Sequence, residues 1–135
     1  MSRPRYDWWS YVKGMIRRYP ELCRAEADLR STTVTAGYSM ELRGKGRTGD
    51  PVADAALRQL PKINRRELAA VRRAIAATRA LPDGEERLAM VRMVYWDGTH
   101  TFDGVALALH RCRRTLLGWH GEFVREVARE FGLLE

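Results

Sequence analysis

Apolar side chains recur along most of this chain at intervals of three and four residues, the spacing that lines one face of a helix. From Asp7 to Leu29 the stripe is Trp8, Val12, Met15, Ile16, Tyr19, Leu22 and Cys23, and Asp7 is placed to cap the helix start. Pro20 has no backbone N–H and its ring crowds the preceding turn, which predicts a kink or break at Tyr19-Pro20. The period fades over 31–50. Ser31-Thr32-Thr33-Val34-Thr35 has β character but no partner strand, and Gly44-Lys45-Gly46-Arg47-Thr48-Gly49 is flexible and basic, so the stretch reads as a loop connector. Asp50-Pro51 then signals a new helix, with the aspartate as cap and the proline where its missing donor costs nothing. A short helix over 51–60, an interruption near Pro61 and a longer helix over 63–80 with Leu68, Val71, Ile75 and Thr78 follow.

Leu81-Pro82-Asp83-Gly84 stops the pattern and restarts it. Asp83 and Glu86 have the spacing of a capping box, and Leu88, Val91 and Tyr95 carry the apolar face of a helix that ends at Asp97-Gly98. Thr101 can cap the next helix, with Phe102, Val105, Ala106 and Leu109 facing inward. A turn at His110-Arg111 leads into a last helix, Cys112 to Glu130, with Leu116, Trp119, Phe123 and Val127 as its inner stripe. The predicted fold is all-α. It comprises an N-terminal helical segment (1–30), a flexible linker (31–50), a basic central helix (51–80) and a three-helix unit (81–135).

At 135 residues, with 45% hydrophobic and 30% charged side chains, the chain can bury a core without staples and is not of disordered composition. Two cysteines far apart, Cys23 and Cys112, form neither a disulfide framework nor a four-thiolate metal site. No apolar run approaches the ~20 residues of a membrane span, and no secretory leader follows Met1-Ser2-Arg3-Pro4-Arg5, so no membrane partner is expected. Net charge is +7 and 21 of the 24 basic residues are arginine, suited to forked contacts with phosphates and bases. The surplus is uneven: 52–80 carries 7 basic against 2 acidic residues, whereas 101–135 balances 5 against 5.

The last two helices and their tight turn describe a helix-turn-helix. Ala106 is small where the helices must cross, Val105 and Leu109 flank it, and Leu116 packs back. The first residues of a recognition helix reach base edges, where arginine can pair with guanine O6 and N7. Arg113, Arg114, Leu117 and Gly118 are therefore candidates for base contact, and Arg111, Thr115 and Arg125 for phosphate. Four features depart from the usual pattern. His110 stands where a glycine favours positive φ, Cys112 is a poor cap, and Gly118 and Gly121 each cost about 1 kcal/mol inside a helix. Gly104 replaces a common acidic residue.

These residues resemble the helix-turn-helix of sigma-factor C-terminal domains. More broadly, the chain resembles the RinA/ArpU-like phage late-gene transcription regulators. The resemblance runs through Trp9-Ser10-Tyr11-Val12-Lys13-Gly14-Met15-Ile16-Arg17-Arg18-Tyr19-Pro20, Gly49-Asp50-Pro51, Met93-Val94-Tyr95-Trp96, Ala106 and Leu109, and Arg113-Arg114-Thr115-Leu116 with Trp119. It implies a sequence-specific regulator, an activator, that binds double-stranded DNA at phage or prophage late genes in the bacterial cytoplasm. RNA polymerase and a second copy of the chain are further candidate partners.

Other patterns have competing readings. Arg58, Arg65, Arg72 and Arg79 recur every seven residues beside Arg66 and Arg73, either as a phosphate- or polymerase-facing surface or as a solvated helix face. Trp8 starts the apolar stripe, while Trp9 lies off it and is a candidate dimer or partner contact. His100, His110, Cys112 and His120 fall close together without the spacing of structural zinc ligands. No nucleophile–base pair, phosphate loop or paired carboxylate set is present, so no enzymatic activity, cofactor or metal is expected. A different class of function is a helical phage assembly or packaging adaptor in which the helix-turn-helix is structural.

Overall fold

A computed structural model describes residues 7–43 and 60–134, with the side chains of 31–43 left aside. The described residues form five α-helices and no strand: α1 Trp9–Arg43, α2 Lys62–Arg79, α3 Gly84–Val91, α4 Phe102–Leu109 and α5 Arg113–Phe131. One π-helical stretch, Arg92–Trp96, prolongs α3. Among them no helix is long and apolar enough to cross a membrane.

The all-α expectation holds, with several local corrections. Helix α1 is not broken at Pro20; it runs on for 35 residues. The ring removes the amide that would bond the Ile16 carbonyl, and the indole N–H of Trp96 donates to that carbonyl instead, at 2.8 Å. Tyr19 packs against the same indole, ring centres 5.4 Å apart. Ser31 to Arg43, expected as loop, continue α1. Extending an existing helix avoids the nucleation cost, so a weakly β-prone run without a partner strand can follow it. The rest of the expected connector and most of the expected 51–60 helix, with Arg58, lie outside the described residues; Leu60 is not helical.

Helix α2 begins at Lys62 after an extended Pro61. Its end is fixed by contact. Gly84, the first residue of α3, approaches the last carbonyls of α2 so closely that a Cβ would lie 2.4 Å from the Arg79 oxygen. Only glycine fits there. Asp83 makes no side-chain cap bond and is left-handed (φ 59°), so the expected capping box does not form. Its carboxylate lies instead 3.3 Å from Arg111.

All five helices contribute to one core. Val12, Met15 and Ile16 of α1 meet Ala70, Val71 and Ala74 of α2, Leu88, Met90 and Val91 of α3, Val105 of α4, and Leu116, Trp119, Phe123 and Val127 of α5. The stripes expected on α4 and α5 thus face inward. Trp9, a candidate dimer or partner contact by sequence, also has a place in the fold. It is half-buried against this core and meets the rings of Trp8 and His120, because its position at the start of α1 leaves it over α5. Glu67 of α2 is buried (4% exposed) and is held by Arg18 (3.0 Å) and the Tyr11 hydroxyl, which tie α1 to α2.

Candidate nucleic-acid interface

Helix α4 starts as its sequence requires, with the Thr101 hydroxyl accepting from the Gly104 amide at 3.1 Å. It ends at His110, whose left-handed backbone (φ 55°, ψ 42°) turns the chain after eight residues. The amides of His110 and Arg111 both return to the Ala106 carbonyl, the latter at 3.1 Å, so the turn closes on the carbonyls that a helix end leaves open. Histidine tolerates this region better than a β-branched residue would. Cys112 is extended and α5 starts after it without a side-chain cap bond. The exposed thiol lies 3.1 Å from the Thr115 hydroxyl. That hydroxyl, then the amides of the first turn, hold its pKa below the ordinary thiol value.

The turn is anchored to α3. Arg111 donates to both carboxylate oxygens of Glu86, at 2.9 and 3.0 Å, and also pairs with Asp83. The guanidinium holds the Glu86 carboxyl below its usual range. Arg111 and Arg87 both lie against the Trp119 indole, 5.5 and 5.4 Å from its centre. Arg87 in turn donates to Glu122 and to the Pro82 carbonyl. Arg111, a candidate phosphate contact by sequence, is thus engaged by protein carboxylates and fixes the angle at which α5 leaves the turn.

The other candidates divide into two places. Arg113, Arg114 and Gly118 are exposed at the start of α5, while Thr115 and Leu117 are half-buried among them. Arg113 has an exposed partner in Asp103 at 3.4 Å. Arg114 has no ion pair among the described residues. At Gly118 an added Cβ would meet nothing within 4 Å, so this face is open to close approach. Arg125 shares the outer stripe with Arg114 and Gly118 but lies roughly 16 Å further along the helix axis. It sits over Trp9, 5.9 Å from the ring centre.

Behind the start of α5 lies an aromatic hub that sequence did not indicate. His120 stacks on Tyr95 (5.6 Å) and meets the edges of Phe102 (5.1 Å) and Trp9 (6.2 Å). Burial, reinforced by the charges of Lys13 and Arg17, pushes the imidazole down to about 4, so it is neutral at pH 7. Burial also pushes the Tyr95 phenol up to about 12. With both neutral, the Tyr95 hydroxyl and His120 Nε2 share one hydrogen bond. A histidine seven residues past Arg113 was visible in sequence; its ring partners come from three other segments and were not. Among the described residues, no three His, Cys, Asp or Glu side chains gather as a metal site.

Of the seven-residue arginine repeat and its neighbours, three are paired within the fold, while Arg65 has no ion pair among the described residues and Arg58 lies outside them. Arg72 meets Glu26 at 2.7 Å, Arg73 meets Glu130 at 3.0 Å and Arg79 meets Glu85 at 3.2 Å. Arg66 lies over the Phe131 ring, 4.7 Å from its centre. No protein-family description, no curated protein and no solved structure matches the chain.

Proposed function

We propose that the chain is a sequence-specific DNA-binding regulator, in which α4 and α5 act as a helix-turn-helix and the first turn of α5 enters the major groove. One observation carries this reading. An eight-residue helix, a three-residue turn with a left-handed first residue, and a second helix presenting Arg113, Arg114 and Gly118 outward occur in one continuous unit. N-terminal residues of such a second helix are those that meet base edges. The resemblance to RinA/ArpU-like regulators supports the same assignment and names its setting, activation of phage or prophage late genes through RNA polymerase. Arg113, Arg114, Leu117 and Gly118 then face bases. Thr115 and Arg125 stand nearer phosphate, and Arg111 positions the turn.

A gel-shift titration of duplexes from upstream of the neighbouring operon tests this across salt concentrations. The expected result is a specific complex that Arg114→Ala weakens by about 1–3 kcal/mol on the cognate duplex, with a smaller loss on random DNA. Equal losses on both would reduce Arg114 to a backbone contact, and no specific complex at low salt would overturn the reading. One observation favours the adaptor alternative: Leu107 on α4 is 79% exposed. An adaptor would bind its protein partner through that residue and release it on Leu107→Ser, whereas a regulator would not depend on it for folding.

A further inference from the structure

Several cations are left without a carboxylate partner, and three of them surround the aromatic hub behind the start of α5. Arg17 lies over the Tyr95 ring, 5.6 Å from its centre, and Arg125 lies over Trp9. Lys13 is one turn before Arg17 on the same face of α1. Among the described residues neither Lys13 nor Arg17 has an ion pair. The charges acting on His120 are these two. Surface cations without a carboxylate partner are free to take an external anion.

Their location says what that anion is. Tyr95 stacks on His120, His120 meets Phe102, and the neighbour of Phe102, Asp103, pairs with Arg113 at 3.4 Å. His120 itself lies roughly 10 Å along α5 from Arg113. Lys13 and Arg17 thus flank the hub about two helical turns into α5 from the end assigned to the groove. The arginines of α2, by contrast, are drawn to Glu26, Glu130 and Glu85. Phosphate contacts flanking a groove-bound helix fix its register and supply affinity independent of sequence.

We propose that Lys13 and Arg17 of α1 bind a backbone phosphate of the duplex flanking the bases read by α5, so that α1 is part of the DNA interface and not only its support. This inference rests on the reading of α4 and α5 as a DNA-binding unit. Lys13 and Arg17 are sequence-independent anchors, and selectivity stays with Arg113 and Arg114.

The test is fluorescence anisotropy of the full chain on cognate and random duplexes over a range of salt. Lys13→Gln and Arg17→Gln remove charge and keep an apolar stem, and Lys13→Gln disturbs no ring contact. The slope of log affinity against log salt should fall by roughly 1 for each phosphate that is no longer neutralised. Affinity should drop by the same factor on both duplexes, and Arg17→Lys should restore the slope. Arg65→Gln, on α2, should leave it unchanged. An unchanged slope in Lys13→Gln and Arg17→Gln, with the wild-type chain bound, overturns this inference alone. A wild-type chain that binds no duplex at low salt overturns it together with the functional reading beneath it.

Discussion

Trp96 gives the Ile16 carbonyl the donor that Pro20 withholds, and this one hydrogen bond joins residues 80 positions apart in sequence. Replacing it with Trp96→Phe keeps an aromatic ring against Tyr19 but leaves the carbonyl without a partner. The expected cost is about 1–3 kcal/mol, read as a lower urea midpoint with an unchanged m-value. An unchanged midpoint would mean that water reaches the carbonyl and that α1 needs no such support. Proline alone therefore predicted a break, since the compensating donor is remote and its approach depends on the π-helical turn after α3. His120 makes the second prediction at this scale. Its pKa is about 4 in the folded chain and near 6.5 when unfolded. Between those values the unfolded chain binds a proton that the folded chain does not, so stability rises with pH there. The contribution is complete above about pH 6.5 and is lost as pH falls towards 4, on the order of 3 kcal/mol. His120→Gln, which keeps a hydrogen-bonding partner for Tyr95, should flatten that part of the urea-stability profile. A wild-type profile as flat as the variant's would show that the hub admits the imidazolium.

Helix α5 is readable from sequence because its inner stripe and its preceding turn agree: Leu116, Trp119, Phe123 and Val127 are all buried, and Thr101 caps α4 as expected. The start of α3 is not, for the opposite reason. The spacing of Asp83 and Glu86 suits a capping box, yet both carboxylates are drawn to Arg111 from the next turn but one, a tertiary contact that outcompetes the local one. The glycines of α5 are ambiguous in sequence, and the fold separates them. Gly121 is buried with an added Cβ 3.1 Å from the Arg125 side chain, whereas Gly118 faces open space. Gly118→Ala should therefore stabilise the chain by about 1 kcal/mol, the helix-propensity difference, in urea denaturation. If α5 lies close against base edges at this position, the same variant binds its cognate duplex more weakly. Raised stability with undiminished affinity would remove Gly118 from the interface.

A surplus of seven positive charges points to nucleic acid without saying which surface bears them. Segment sums suggest a neutral reading head beside a basic body, with the central helix supplying affinity if both face DNA. Sums along the chain cannot show which cations meet acids from distant segments, and that pairing changes the assignment. Glu26 on α1, Glu130 on α5 and Glu85 on α3 each take one arginine of α2, so much of the central surplus is neutralised inside the fold. Lys13 and Arg17, which the sums do not single out, have no ion pair among the described residues and flank the His120 hub about two turns into α5. The two groups should separate experimentally. Arg72→Ala combined with Arg73→Ala breaks two partly exposed ion pairs between helices and should lower stability by about 1 kcal/mol in total, less at high salt. It should leave the salt dependence of duplex binding as steep as in the wild type, because both guanidiniums are already engaged by carboxylates. A shallower slope with unchanged stability would mean that these pairs open when DNA binds, and it would place α2 on the duplex.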